Sequence, residues 1–225
     1  LPDSFVVHTS ADNRYQLFVN GERVRIGPAR GEIPNWRFET TDLAAQLQAG
    51  TNVLAAVVWN FAEHRPVAQH SYETGFILQA NDAAQAVVNT DARWSVTQNA
   101  AYAPIERGAF AIDGYLVVGP GEHVTARDYP WRWAERSYDD SHWAPARTLR
   151  PGMPKDGPGA TGIYEAWKLV PRTIPRMETR IERFAAVDRA RGVEAQDGLL
   201  TGEADLVIPA QTEATLLIDR GQLTT

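Results

Sequence analysis

The chain of 225 residues contains no cysteine. Disulfide bonds and cysteine-ligated zinc are therefore excluded, and a stable fold has to rest on its hydrophobic core. The length is sufficient for one large β domain or for two smaller ones. Disulfide-free proteins occur in both oxidising and reducing compartments, so a cytoplasmic location stays open, although we favour a periplasmic or secreted one.

Positive charge and long apolar runs are also scarce. Lysine and arginine number 22 against 28 aspartates and glutamates, and the formal net charge at pH 7 is −6. No basic cluster could follow a phosphate backbone, so the composition predicts no nucleic-acid partner. No apolar run approaches the ~20 residues of a membrane-spanning helix, which predicts no membrane span. The chain begins at Leu1 and ends within a strand pattern, so we expect it to be a piece of a longer polypeptide.

No long segment has the 3.6-residue period of an amphipathic helix, whereas short period-two segments are frequent. Residues 15–19 alternate between apolar and polar side chains, and Asn20 and Gly21 provide the positive-φ pair of a tight hairpin turn. Between the N-cap Asp42 and Gly50, residues 42–48 are predicted to form a short helix. The predicted strands are 5–9, 15–19, 23–26, 36–40, 53–59, 75–79, 86–89, 94–97, 109–118, 163–170, 177–184, 204–208 and 214–218.

This spacing of short strands predicts an all-β sandwich or barrel with a few short helices. The order of strand, hairpin, short helix and buried strand over residues 15–59 favours a jelly-roll β-sandwich. We place the sandwich at residues 1–172, with an irregular insertion rich in Trp, Pro and Gly at about 120–162. The two prolines of segment 171–175 indicate a stiff connector. Residues 173–225 are then expected to hold this connector and an incomplete second β-sandwich domain.

Aromatic residues beside polar ones are the candidate binding positions, because a sugar ring is held by a flat apolar surface and a few hydrogen-bonding groups. Trp36 and Arg37 follow a loop rich in Gly and Pro, where Trp36 is a candidate for exposed sugar binding or for contact with another domain. Asn60 follows a buried strand. Trp131 and Trp133 lie in the irregular insertion, where packing against another domain is the alternative.

No residue is predicted to be catalytic. Inverting sugar hydrolysis requires two carboxyl groups roughly 6.5–9.5 Å apart, and the sequence alone does not pair its acids. The doublet of Asp139 and Asp140 is interpreted as a turn cap before Trp143. Cofactors are not expected, except that Asp12 and Asn13 at a strand edge could offer hard oxygen ligands to calcium; an Asx turn is the alternative.

Several segments together resemble a known family. They are residues 10–21, 27–31, 42–43, 50–61, 89–94, 138–143, 169–175 and 208–219. In this order they are similar to the amino-terminal β-sandwich region of bacterial α-L-rhamnosidases, which belong to glycoside hydrolase family 78. The pattern of residues 15–21 occurs in many galactose-binding-like jelly rolls attached to glycosidases, so the resemblance implies that fold. The connector at 171–175 is more discriminating.

The resemblance implies a non-catalytic role for this chain. In the family, catalysis takes place in a large helical domain downstream, and its catalytic residues have no matching positions here. The implied partners are that catalytic domain of the same polypeptide and a rhamnose-containing glycan. Two other hypotheses stay open: an autonomous carbohydrate-binding module, and a self-contained lyase or hydrolase built on the β scaffold.

Overall fold

The computed structural model describes residues 1–105, 121–154, 156–157, 167–180, 182–196 and 198–221. These residues form strands joined by turns and by short 3-10 helices at Ala44–Gln46, Ala62–His64, Ala83–Val88 and Ala126–Asp128. The chain divides into two compact units, Leu1–Ile174 and Pro175–Thr225. The division falls two residues after the predicted boundary, within the proline-flanked connector.

The first unit contains two main sheets. The larger sheet has the strand order β11-β12-β4-β1-β6, in which β1 is antiparallel to both neighbours and β12 is parallel to β4 and β11. Its strands are β1 (Val6–Asp12), β4 (Trp36–Asp42), β6 (Gly75–Ala80), β11 (Gly152–Pro154) and β12 (Trp167–Pro171). The smaller, antiparallel sheet has the order β3-β2-β5, with β2 (Arg14–Val19), β3 (Glu22–Gly27) and β5 (Leu54–Trp59).

The hydrophobic core lies between these sheets. The period-two pattern of β2 places every second side chain of that strand in the core. Tyr15, Leu17 and Val19 are each at most 1% exposed, while the intervening side chains of this strand are partly exposed. The core cluster contains Val7, Ala11, Tyr15, Leu17, Val19, Leu43 and Leu78. The prediction of an all-β sandwich is therefore confirmed.

The turn between β2 and β3 forms where the sequence predicts it. Asn20 and Gly21 have φ angles of 52° and 90°, the left-handed pair of a tight hairpin turn. The amide of Asn20 also donates to the side-chain oxygen of Asn52 at 2.9 Å, which ties the turn to the segment before β5. The turn is therefore fixed both by its own backbone and by a neighbouring loop.

Short strand pairs complete the described fold. In the first unit, β7 (Ser95–Val96) pairs with β10 (Ala144–Pro145), and β8 (Tyr102–Pro104) pairs with β9 (Glu122–Val124). In the second unit, β13 (Ala186–Arg191) and β14 (Thr215–Asp219) form an antiparallel ribbon. No helix among the described residues is long and apolar enough to cross a bilayer.

Some strand predictions are wrong or fall outside the described residues. Residues 86–88 belong to the 3-10 helix Ala83–Val88 and Asn89 is its C-cap residue. The helix begins where the Asp82 carboxylate accepts the Ala84 N–H. The described parts of 177–184 and all of 204–208 contain no strand. Residues 109–118 and 163–166 lie outside the described part of the chain, so only the end of strand 163–170 is seen, in β12.

Candidate functional site

A buried carboxylate organises the polar end of the sandwich. Asp12 is the last residue of β1 and is 1% exposed. Its Oδ2 accepts the backbone N–H groups of Tyr72 at 2.6 Å and Glu73 at 2.8 Å, and the hydroxyl of Ser71 at 3.3 Å. These donors compensate for the loss of hydration of a buried charge. Asp12 thereby fixes the loop that leads into β6.

Two other predicted site residues meet Asp12 here. The side-chain amides of Asn13 and Asn60 donate to Asp12 Oδ1 at 2.5 and 3.3 Å. Asn13 Oδ1 in turn accepts the backbone N–H of Phe61 at 3.0 Å, and its amide also donates to the carbonyl of His70 at 3.2 Å. The fold thus brings Asp12, Asn13 and Asn60 into one polar cluster, although the sequence reasoning assigned them to different roles.

The oxygen atoms of this cluster are engaged with protein donors. Both Asp12 carboxylate oxygens accept N–H or O–H groups, and Asn13 Oδ1 accepts a backbone N–H. Among the described residues, no group of three or more His, Cys, Asp or Glu side chains comes together to hold a metal ion. The geometry therefore favours a loop-fixing role, and calcium binding at Asp12 and Asn13 stays a prediction.

A second feature is a row of aromatic rings, which we call the aromatic cluster and define as Tyr102, Tyr129 and Trp131. The ring centroids of Tyr102 and Tyr129 are 6.0 Å apart, and those of Tyr129 and Trp131 are 4.8 Å apart. Trp131 is 65% exposed and Tyr102 is 44% exposed. Trp131 Nε1 donates to the carbonyl of Ala126 at 2.9 Å, which sets the orientation of the indole.

Trp133 connects the aromatic cluster to the sandwich. Its Nε1 donates to the Tyr129 hydroxyl at 3.3 Å. Its ring packs edge-on against Phe18 of β2, with centroids 5.2 Å apart. Trp133 is thus partly buried and serves as a support beneath the cluster, whereas Trp131 presents the exposed surface.

Trp36 is buried and is not the exposed loop residue that the sugar-binding alternative requires. Trp36 begins β4, pairs with Leu169 of β12 and is only 4% exposed. This burial leaves no accessible ring face for a sugar. The neighbouring Arg37 donates from Nη1 to the carbonyl of Pro171 at 3.1 Å, so its guanidinium contacts the connector. Trp36 and Arg37 therefore lie apart from the aromatic cluster and do not join it.

The connector itself is held by a buried ion pair. Glu39, in the middle of β4, is 1% exposed, and its Oε1 accepts Arg172 Nη1 at 2.9 Å and the Ala29 N–H at 2.8 Å. The backbone N–H of Arg172 continues the pairing with β4 by donating to Phe38 at 3.2 Å, and its Nε donates to the Ile174 carbonyl at 2.9 Å. The chain therefore leaves the sandwich along a defined path.

Four surface carboxyl groups have pKa values lowered by hydrogen bonds. The principal donors are the Phe5 N–H to Asp42, the Arg93 guanidinium to Asp91, the Arg132 guanidinium to Glu135 and the Ser141 hydroxyl to Asp139. A general acid in glycoside hydrolysis requires the opposite shift, toward a raised pKa. These four groups are therefore unsuited to that role.

Comparison with known proteins identifies the fold and the family. The family model described as "Alpha-L-rhamnosidase N-terminal domain" matches residues 2–156. The chain belongs to this family. A crystal structure of a GH78 family rhamnosidase of Bacillus sp. GL1 is similar, with a TM-score of 0.68 and 26% sequence identity. That similarity covers 88% of this chain and 19% of the rhamnosidase chain. A search of curated proteins finds no match.

Sequence reasoning missed several residues of this rhamnosidase N-terminal domain. Tyr102 and Tyr129 were not singled out, because a ring row assembled from one strand and from a turn more than 25 residues later has no local signature. Glu39 was also missed. The sequence alone does not show whether a charged residue of a strand faces the core or the solvent, because that depends on the strand register. Its partner Arg172 lies 133 residues away, and only the fold brings the two together.

Proposed function

We propose that this chain is a non-catalytic β-sandwich segment of an α-L-rhamnosidase. In this proposal, a catalytic domain elsewhere in the same polypeptide hydrolyses terminal α-L-rhamnose from glycosides or polysaccharides. The observation that carries the proposal is the match of residues 2–156 to the rhamnosidase N-terminal domain family. The similar rhamnosidase supports it, because this chain spans only 19% of that chain's length.

The burial and the hydrogen bonds of two carboxylates, Asp12 and Glu39, also support a non-catalytic role. Inverting hydrolysis requires one carboxyl group that donates a proton and a second that activates water in an open cleft. Asp12 and Glu39 are each 1% exposed, so neither meets substrate or water directly. Asp12 accepts hydrogen bonds from backbone amides and Glu39 accepts one from Arg172, so both carboxylates are engaged with groups of the protein itself.

A hydrolysis assay tests this proposal. The purified chain is incubated with a chromogenic aryl α-L-rhamnoside over a range of pH, and release of the phenol is recorded. We expect no turnover above the buffer blank. Turnover that scales with protein concentration, and that is lost when a single carboxylate is substituted, would show a self-contained hydrolase and overturn the proposal.

The partner in this proposal is the remainder of the polypeptide. The gene that encodes this chain is expected to encode, in the same reading frame, a large helical domain. Amplifying and sequencing the flanking genomic DNA checks this directly. A reading frame without such a domain would contradict the multidomain part of the proposal, whatever the outcome of the hydrolysis assay.

A further inference from the structure

We propose that Asn20, in the turn between β2 and β3, is a site of spontaneous deamidation that the closed turn protects and the opened turn exposes. Of the eight asparagines in the sequence, Asn20 alone is followed by glycine. Glycine has no side chain to shield its backbone nitrogen, so the Gly21 nitrogen can reach the side-chain amide of Asn20. The residue pair that builds the hairpin turn is therefore also the most reactive asparagine site of the chain.

The reaction consumes only the chain and water. The Gly21 nitrogen attacks Asn20 Cγ and forms a new C–N bond, while the bond from Cγ to the side-chain nitrogen breaks. The Gly21 N–H proton ends on the departing nitrogen, which leaves as ammonia. Water then opens the resulting cyclic imide at either of its carbonyl carbons. The products are aspartate, and isoaspartate, in which the main chain runs through the former side chain and is longer by one methylene group.

Four hydrogen bonds hold Asn20 in the closed turn. Its backbone N–H donates to the Val53 carbonyl at 2.9 Å, and its side-chain Oδ1 accepts the Val53 N–H at 3.0 Å. Its Nδ2 donates to Asn52 Oδ1 at 2.9 Å and to the Gln46 carbonyl at 3.2 Å. The three side-chain bonds have to break before Asn20 Cγ can rotate onto the Gly21 nitrogen. The closed turn is therefore unreactive.

Opening of the turn requires less than unfolding of the sandwich. Gly21 and Glu22 are exposed and Asn20 is partly exposed, whereas the neighbouring Val19 is 1% exposed and belongs to the core. Surface turns of this kind open locally at a lower free-energy cost than the core strands that they join. The rate of deamidation is then the rate in an open chain multiplied by the fraction of time for which the turn is open.

The product cannot rebuild the closed turn. Aspartate places an oxygen where the amide nitrogen of Asn20 donates, and this oxygen faces two acceptors, the Gln46 carbonyl and Asn52 Oδ1. Asn52 cannot turn its own amide round to donate, because Oδ1 accepts the Gln48 N–H and Nδ2 donates to the carbonyls of Gln48 and Gly50. An opening of the turn that leads to reaction therefore becomes irreversible.

Mass spectrometry of tryptic peptides, after incubation at a mildly alkaline pH, measures the reaction. Trypsin cleaves after Arg14 and Arg23, so peptide 15–23 carries Asn20 as its single asparagine. Peptide 94–107 contains one asparagine, which is followed by alanine, and serves as the internal reference. The unmodified chain is incubated folded and unfolded in urea, and the folded variants Asn52→Ala and Asn89→Ala are incubated beside it.

The two variants are matched in the bond that each removes. Asn52→Ala removes the acceptor of the Asn20 amide. Asn89→Ala removes the acceptor of the Ala80 N–H, a bond of 2.8 Å elsewhere in the sandwich, and leaves the turn intact. A faster reaction in Asn52→Ala alone therefore reports local opening of the turn.

In urea we expect peptide 15–23 to deamidate faster than peptide 94–107. Folding should slow the reaction at Asn20 by about tenfold or more, because the turn has to open first. Folded Asn52→Ala should react about fivefold faster than the folded unmodified chain, the factor that corresponds to one hydrogen bond of about 1 kcal/mol. Folded Asn89→Ala should react at the rate of the unmodified chain. Asn20→Asp, which imitates one product, should unfold at a lower urea concentration.

Three results would overturn the inference. Equal rates at Asn20 in the folded and the unfolded chain would show that the hydrogen bonds give no protection, and this comparison decides even if Asn52→Ala does not fold. Equal acceleration in Asn52→Ala and Asn89→Ala would show that the whole sandwich, and not the turn, has to open. An Asn20→Asp variant as stable as the unmodified chain would show that the product rebuilds the turn.

Discussion

The ion pair between Glu39 and Arg172 leads to a quantitative prediction about how the connector is attached to the sandwich. The Glu39 side chain is 2% exposed and the Arg172 side chain is 15% exposed, with Oε1 and Nη1 2.9 Å apart. In Arg172→Met the aliphatic stem is retained and the positive charge is removed. Glu39 then keeps the Ala29 N–H but loses its paired cation, so a buried charge is left incompletely compensated.

Removing one partner of a buried pair lowers the free energy of unfolding by about 3–5 kcal/mol. Here we expect the lower end, about 3 kcal/mol, because the Arg172 side chain retains some exposure and Arg14 also interacts with Glu39 through charge. For a domain of this size, 1 kcal/mol corresponds to roughly 2–4 °C in the unfolding temperature, so the expected decrease is about 6–12 °C.

Tryptophan fluorescence during urea denaturation provides the assay. All seven tryptophans lie within the first unit, so the signal reports on the sandwich and not on the second unit. The double variant Glu39→Gln/Arg172→Met removes both charges and should be more stable than Arg172→Met alone. The control is Arg93→Met, which breaks the exposed pair with Asp91 and should leave the unfolding midpoint unchanged.

Two results would refute this reasoning. Arg172→Met could unfold at the same urea concentration as the unmodified chain, in which case the ion pair contributes nothing to the free energy of unfolding. Alternatively, the effects of Glu39→Gln and Arg172→Met could simply add in the double variant, which would mean that the two side chains stabilise the sandwich independently of one another.

Further predictions concern packing and pH. In Gly75→Ala the new Cβ would overlap Trp167 Cη2, so we expect the free energy of unfolding measured in urea to fall by about 1–3 kcal/mol. In Gly50→Ala no atom lies within 4 Å of the new Cβ, and the φ of +85° alone should lower this free energy by about 1 kcal/mol. Equal losses would contradict the steric explanation. Burial raises the pKa of Tyr15 above its ordinary value of 10.0, so above pH 10 the unfolded chain releases this proton and the folded chain retains it. As the pH rises above 10, the free energy of unfolding should fall more steeply in the unmodified chain than in Tyr15→Phe, by about 1.4 kcal/mol per pH unit. Parallel pH profiles of the two proteins would show that Tyr15 does not link stability to pH.

The parts of the fold that follow from local patterns could be predicted from the sequence. Alternation in residues 15–19 predicts β2 and its buried face, and Asn20 and Gly21 predict the turn that follows. The error at 86–89 was avoidable, because Asp82 is a recognisable helix cap that precedes a run of alanines. The apolar residues at 206–208 favoured a strand over 204–208 that does not form, since a strand also requires a neighbour to pair with.

The candidate sites were predictable only in part. Trp131 could be named as a candidate because it lies in a segment without strand or helix periodicity, where an aromatic side chain has no sheet face to occupy, and it is exposed in the structure. The exposure of Trp36 could not be judged, because its burial depends on parallel pairing of β4 with β12, more than 130 residues later in the chain. Pairing over such distances is set by the whole fold and leaves no local trace in the sequence.

Buried charge, and not only apolar packing, sets the positions of the loops in this sandwich. The core holds β1, β2 and β6 together, but apolar contacts alone do not fix where an irregular segment lies, because they are not directional. The Asp12 carboxylate accepts hydrogen bonds from backbone amides of the loop before β6. The Glu39 carboxylate accepts hydrogen bonds from the Ala29 N–H and from the guanidinium of the connector residue Arg172. Hydrogen bonds to a buried carboxylate are directional and costly to lose, so each carboxylate specifies one loop arrangement. Glu39 thus holds the start of the connector against β4, at the end of the first unit.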